Sequence, residues 1–408
     1  MVAIVLDISR SISRVAQSQL TGIDRVELAY IKHFLDWPGS VFFLARIGGY
    51  SALLERRAMR ELFSLIQNHG PWEKPGFWQR WKRQSEIEKI TATLRKLAIS
   101  GLPLKRGLQR HVPAGFTYIN VGHGALKPAF WPKLRAGGVG EILLMVHDVI
   151  PLNFPQFCRP ETTENFTKKL RAALKHSDII IYNSHDTAKT TQVWLDKWGI
   201  PTPETHVVYL GTDPLPAPAP APKTARHPYF VTLGTIEPRK NHRLLLDIWA
   251  DFHATLPLPE IPHLYIIGAR GWQNEDVFAT LDSADFMGKT LHECGRIPDV
   301  EAGTLLAGAQ ALLFPSFAEG FGYPLIEAMQ MNIPVICSNL PSFFETAGDS
   351  PTYIDPANMS AWREKILNAT TVNGKMPDIN AKIPVFPTWD AHFHKVATIL
   401  TIHEQVSI

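Results

Sequence analysis

Glu319 and Glu327 bracket a glycine-rich turn in FPSFAEGFGYPLIEAM, where Gly320 and Gly322 separate an apolar run from a helix-like pattern. The run predicts a strand ending at Ser316, and Pro324, a favoured first-turn residue, predicts a helix starting near it. Gly320 and Gly322 keep side chains out of the turn, so a polar ligand can approach the backbone. The free N–H groups and the positive dipole end of the helix attract anionic oxygens there. The spacing puts two carboxylates at one cleft edge, about a helix turn apart. Two acids alone have a plainer explanation as well: Glu327 complements the helix dipole and Glu319 is a surface residue of the loop.

Cations come from a second segment, YFVTLGTIEPRKNHRLLLDIW, in which a strand ends near Leu233 and Gly234 opens a turn carrying Arg239 and Lys240. Arginine grips two phosphate oxygens as a fork and lysine acts as a compact point charge. Charge-assisted bonds of this kind contribute about 1.5 to 3 kcal/mol each. A diphosphate leaving group is a natural partner, and a solvated helix start is the alternative. In ILLMVHDVIPL an apolar strand delivers His147 and Asp148 to its carboxyl end, a place for acid–base or positioning work. A satisfied structural histidine fits the same pattern. Thr21-Gly22-Ile23, ahead of a helix from Asp24 to Leu35, offers one more backbone approach point.

These residues need a scaffold that brings them together. Short β-branched runs alternate with longer amphipathic segments on both sides of DPLPAPAPAPKTARHP, which predicts βα units and parallel sheets. AIVLDI, SVFFLARI, FTYINV, EILLMVHDV, DIIIYNS and HVVYLG read as strands of the first half. YFVTLGT, LYIIGA, ALLFPS, PVICSN and PTYID read as strands of the second. At 408 residues the chain exceeds the roughly 250 to 300 that one core serves. The reading is therefore an α/β protein of two Rossmann-like, doubly wound domains, residues 1–212 and 229–388. An extended Ala-Pro linker at 213–228 joins them. A helix at 389–408, with Trp389, Phe393, Val396 and Leu400 on one face, packs back on the first domain. Ligands of such sheets bind beyond the carboxyl ends of the strands, so the cleft between the domains is where chemistry belongs.

Composition narrows the partners. A net charge of +3 excludes a dedicated nucleic-acid binder. Cys158, Cys294 and Cys337 are too far apart for zinc or redox pairs. No apolar run approaches the roughly 18 residues of a membrane span, and the N-terminal run is too short for a signal peptide, so a cytoplasmic location is expected. Between Ser51 and Arg110 thirteen Lys/Arg face five Glu. Within that stretch Phe77, Trp78 and Trp81 interleave with Arg80, Lys82 and Arg83. This composition suits an anionic membrane surface through residues 77–110, at the inner face of the cytoplasmic membrane, or else a solvated surface helix.

Together the motifs resemble the retaining glycosyltransferases of family 4, which have the GT-B fold, of the bacterial polysaccharide and lipopolysaccharide type. The resemblance rests on FAEGFGYPLIEAM, on GTIEPRKN at 234–241, on HDVIPL at 147–152 and on YNSHDTA at 182–188. VVYLGTD, IIGARGW at 266–272 and PVICSNLPSFFETAGDSPTYIDP at 334–356 add to it, in the family's order. It implies that Arg239 and Lys240, beyond Gly234, hold the donor diphosphate and that Glu327 binds the ribose. It implies further that Glu319, with the backbone of Gly320, Phe321 and Gly322, binds the transferred sugar. His147 would sit beside the reactive carbon, Ile297 in the region lining the nucleobase, and the Gly22 loop and Asp148 near the phosphates or the acceptor. Many relatives carry a di-glycine where this chain has Thr21-Gly22, a departure from the family's pattern in that loop.

The implied reaction moves a sugar, with mannose from GDP-mannose the first expectation and rhamnose another, to a saccharide or lipid-linked acceptor. No cofactor is expected. No DxD motif sits in a suitable loop, since Asp282 and Asp285 have the wrong spacing, so protein cations rather than a divalent metal neutralise the leaving group. Retention can proceed through a carboxylate nucleophile or on the front face, with the leaving phosphate deprotonating the acceptor; the second is preferred. A sugar-nucleotide epimerase or phosphorylase-like enzyme on the same architecture, and a membrane-docking scaffold without catalysis, are the competing readings.

Overall fold

Val5, Leu6 and their neighbours in β1 (Ile4–Asp7) are buried on both faces, as befits a parallel strand covered by helices. β1 even buries Asp7, whose carboxylate is held by Arg46 at 2.8 Å and by the Tyr118 hydroxyl at 2.7 Å. The structure is a computed structural model that describes residues 2–15, 21–68, 70–73, 85–124, 126–217, 227–370 and 386–406, with side chains to Thr401. The first sheet continues with β2 (Val41–Ile47), β3 (Tyr50–Glu55), β4 (Phe116–Asn120), β5 (Val139–Val146), β6 (Ile179–Tyr182) and β7 (Glu204–Val207). Its order is β3-β2-β1-β4-β5-β6-β7, parallel throughout except for the antiparallel edge pair β2–β3.

The second sheet contains β8 (Tyr229–Leu233), β9 (His263–Ile267), β10 (Leu291–Gly295), β11 (Ala311–Phe314), β12 (Val335–Ser338) and β13 (Thr352–Ile354). Its order is β10-β9-β8-β11-β12-β13, all parallel. Both orders reverse direction beside their first strand, and the switch point so formed is where such sheets open a ligand crevice. The two doubly wound domains expected from the alternation are therefore present.

Two strands escape the sequence pattern. β3 reads YSALLE, too polar at its ends to stand out, and β10 reads LHECG, short and half-exposed. The basic stretch after β3 forms the helices Arg56–Gln67, Glu86–Leu97 and Leu104–His111. Its Trp-containing part at 77–83 and the middle of the Ala-Pro run at 218–226 lie outside the described residues. Among the described residues no helix is long and apolar enough to cross a membrane.

The last helix, Trp389–Val406, crosses to the first domain. His392 meets the Tyr30 hydroxyl at 2.9 Å and Phe393 stacks on His33 with ring centroids 3.9 Å apart. His392, Phe393, Val396, Ile399 and Leu400 are its buried residues among those described. Trp389, expected on the same face, is only partly buried and lies against Gly211, where a Cβ would stand 2.5 Å from its ring.

Candidate functional site

β8 ends at Leu233, and Gly234 follows with φ +141°, a conformation that L side chains rarely adopt. A Cβ there would also come within 3.2 Å of the Lys240 side chain. The glycine thus lets the turn fold back so that Arg239 and Lys240, in the short 3-10 helix Pro238–Lys240, project past the strand end. From β11 the chain runs to Glu319, and the carboxylate meets both cations: Lys240 Nζ at 2.5 Å and Arg239 at 2.8 Å. Arg239 also reaches Glu237 at 2.5 Å and donates to the Ala318 carbonyl at 3.1 Å. The sequence presents Arg239 and Lys240 as free phosphate cations; in the structure two acids, Glu237 and Glu319, already balance them.

The electrostatics follow from burial against pairing. Burial opposes ionisation of Glu319, but Arg239 and Lys240 overcome it and hold its pKa at about 2. Glu319 is therefore a permanent carboxylate and a hydrogen-bond acceptor. Burial pulls the Lys240 ammonium down, and Glu319 works against that pull. Glu237 goes up because burial outweighs the neighbouring cations.

The opposite wall is the end of β5. His147 is buried and gives its Nε2–H to the Val121 carbonyl at 2.6 Å. Burial, with His123 beside it, drops its pKa to about 3, so the imidazole is neutral in the working range. Asp148 caps the following turn through the Ile150 N–H at 3.1 Å. Its pKa is raised by burial, with Arg239 pulling it down and Glu319 adding to the rise, so the first domain's acid feels the second domain's clamp.

The glycines have a further reason beside the one the sequence suggests. A Cβ on Gly320 would stand 2.3 Å from the His147 carbonyl oxygen, and one on Gly322, at φ +89°, 2.8 Å from the Phe343 ring. Gly22 faces the Tyr323 ring in the same way, at 2.9 Å. On the Cβ side of these glycines stands protein rather than open space, and the domains meet there with main chain almost touching. Phe321, between the two glycines, is buried.

Glu327 does not share a partner with Glu319. It lies in the second turn of the helix Tyr323–Gln330, 4% exposed, and is ion-paired with Arg25 of the first domain. Arg25 also reaches Asp299 at 3.3 Å, two residues beyond the half-buried Ile297. Burial raises the Glu327 pKa and Arg25 lowers it. The two glutamates thus mark separate stations along the helix start, one at the phosphate cations and one further along.

Three cross-domain groups were not singled out from the sequence. Arg25 had a signal: a cation in the first turn of a helix, at the end where the dipole repels it. Glu345 accepts the N–H groups of His185 at 2.6 Å and Asp186 at 3.2 Å, so it caps the helix His185–Trp198 from the other domain. Ser184, whose own side chain caps that helix through the Thr187 N–H, also donates to the Gly320 carbonyl at 3.0 Å. Nothing in the local sequence of Glu345 predicts its target. No group of three or more His, Cys, Asp or Glu suited to a metal occurs among the described residues.

Residues 218–379 match the family model described as glycosyl transferases group 1. A 236-residue stretch is 32% identical to the serotype-specific mannosyltransferase WbdA of Escherichia coli, covering 54% of this chain and 28% of that protein. The O-antigen chain mannosyltransferase B of Escherichia coli is 35% identical over 143 residues, which is 35% of this chain and 36% of the relative. This chain therefore spans between 28% and 36% of the length of these two curated relatives. Among solved structures, Anabaena HepE in complex with UDP and glucose aligns over 98% of this chain and 99% of its own, with a TM-score of 0.64 at 16% identity. The lipopolysaccharide outer core galactosyltransferase WaaB aligns over 98% and 99%, with a TM-score of 0.55 at 14% identity. Likeness at this level of identity shows the fold, and that fold is GT-B.

Proposed function

From a chain whose residues 218–379 match the family model of glycosyl transferases group 1, we propose that this protein is a retaining glycosyltransferase of cell-surface polysaccharide or lipopolysaccharide synthesis. The sugar moved is mannose, from GDP-mannose, and the acceptor is a saccharide or lipid-linked saccharide. The names of the curated relatives support mannose. The observation that carries the reading is the meeting of Arg239, Lys240 and Glu319 with the end of β5 at Gly320 and His147.

Departure of a nucleoside diphosphate builds negative charge on the leaving oxygens, and a preorganised positive site lowers that barrier most. Arg239, Lys240 and the uncapped N-terminus of the helix Tyr323–Gln330 supply it. Glu319, ionised at any working pH, takes hydrogen bonds from hydroxyls of the transferred sugar, with the Gly320 to Gly322 backbone. Two cations also make it a poor nucleophile, which favours the front-face route in which the leaving phosphate removes the acceptor proton. Glu327 takes the ribose hydroxyls and Ile297 borders the base. His147, neutral, packs beside the reactive carbon without adding charge to an oxocarbenium-like centre, while Asp148 and the Gly22 loop lie toward the acceptor or the phosphates. No divalent metal is required.

Proton NMR of the product tests this. A product anomeric configuration equal to the donor's, formed in the presence of EDTA, supports the reading; inversion removes the retaining assignment and an absolute need for metal removes the cation role. The basic segment at 77–110 is proposed to dock the enzyme on anionic lipid. Liposome sedimentation that weakens with salt supports docking, and salt-insensitive or absent binding removes it.

A further inference from the structure

Arg25 sits in the first turn of the helix Gly22–Leu35, and what holds a cation there belongs to the other domain. Its guanidinium donates to the buried Glu327 and reaches Asp299 at 3.3 Å. Beside this pair Gly22 backs onto the Tyr323 ring, so the starts of the helices Gly22–Leu35 and Tyr323–Gln330 face each other. The neighbouring clamp is partly neutralised, because Glu237 and Glu319 pair with Arg239 and Lys240. A diphosphate lying between Glu327 and that clamp needs a further cation.

We propose that Arg25 is a donor-sensing cation that exchanges partners. In the empty cleft it neutralises Glu327; when a nucleoside diphosphate binds, the ribose hydroxyls take over the Glu327 oxygens and the Arg25 fork moves onto the phosphate next to the ribose. The inference rests on reading Glu327 as the ribose ligand. Pulling Arg25 away with no replacement strands a buried carboxylate, which is strongly unfavourable. A nucleoside alone satisfies Glu327 and leaves Arg25 with only the exposed Asp299. Inorganic phosphate alone does the reverse. Only a ligand carrying both parts leaves no charge unmatched, and the planar fork of arginine suits the second half of the exchange.

Calorimetry with GDP against guanosine, and UDP against uridine, reads the exchange as a ratio of affinities. Arg25→Met is expected to shrink the wild-type preference for the diphosphate by about tenfold or more, with nucleoside binding no weaker than in the wild type. Arg25→Lys, keeping the charge without the fork, is expected to fall between; if Arg25→Met does not fold, a several-fold drop of the ratio in Arg25→Lys decides. An unchanged ratio in a folded variant that still binds a diphosphate overturns the exchange and leaves the donor site standing. Binding of neither diphosphate by the wild type removes the donor-site reading and the exchange with it.

Discussion

Gly320 and His147 belong to different domains, yet a Cβ on Gly320 would stand 2.3 Å from the His147 carbonyl oxygen. That oxygen is fixed from its own side by the Asn183 amide at 2.9 Å and the Thr187 hydroxyl at 3.3 Å, so it has little room to yield. Closure of the cleft is thus written into one missing methyl group. Gly320→Ala is expected to hold the domains apart and to lower kcat about tenfold or more. Each sheet keeps its own buried strands, so Tm is expected to stay near the wild-type value. Solution scattering of the ligand-free variant is expected to show a larger radius of gyration. Wild-type kcat in this variant would mean that the contact is not part of the working state.

Lys240→Met removes one of the two cations at Glu319 and leaves the carboxylate with Arg239, so no buried charge is orphaned. The expected outcome is a fall in kcat of about 10²- to 10³-fold, the cost of removing one preorganised donor to developing charge. Glu319→Ala is expected to lower kcat strongly as well, through loss of the sugar grip. Circular dichroism should show both variants folded. Near-normal turnover in either one would count against its assigned role.

The Glu345 carboxylate caps the helix His185–Trp198 across the cleft, and losing such a cap costs about 1 kcal/mol. Because that cost falls on the closed arrangement and not on either core, Glu345→Ala is expected to raise the donor KM several-fold with a smaller effect on kcat at saturation. Steady-state kinetics separates the two constants. A fall in kcat with KM unchanged would place Glu345 in the chemistry instead.

Much of this site is legible in the residues, and the illegible part has a common cause. Strand ends announce Gly234, Arg239, Lys240, His147 and Glu319 because apolar runs stop beside them, and parallel sheets put such ends at one edge. The partners Arg25, Glu345 and Tyr323 act between domains, where neither periodicity nor spacing constrains which residue faces which. The same blindness hides that Gly320 and Gly322 also clear His147 and Phe343. β3 and β10 were missed for a local reason, since edge strands with polar ends and few apolar residues give no clear period.

Buried histidines set the acid limit of the fold. Burial lowers His123 and His392 to about 4, and His147 and His242 to about 3, from an ordinary 6.5. Below pH 6.5 the unfolded chain takes up protons at these four that the folded chain refuses, so stability falls as pH falls. Each contributes a slope of about 1.4 kcal/mol per pH unit where it is fully developed. Glu27 acts oppositely: burial raises it to about 8, so the folded state keeps a proton that the unfolded chain releases above 4.5. Asp148, Asp186, Glu237 and Glu327 are raised as well, and His33, His176, His253, His263 and His292 are lowered. Among the described residues nine histidines thus face five acids, and Tm is expected to drop between pH 7 and pH 5 in a thermal-shift series. A flat or rising Tm over that range would contradict their buried, neutral state.

The central claim is transfer of a sugar from a nucleoside diphosphate held by Arg239 and Lys240, and release of that nucleotide reads it most directly. Incubation with GDP-mannose and a mannose-terminated acceptor, with EDTA present, is expected to release GDP at a rate that depends on the acceptor and is lost in Lys240→Met. No acceptor-dependent release from GDP-mannose or from the UDP and dTDP sugars, or release that Lys240→Met leaves untouched, would contradict it.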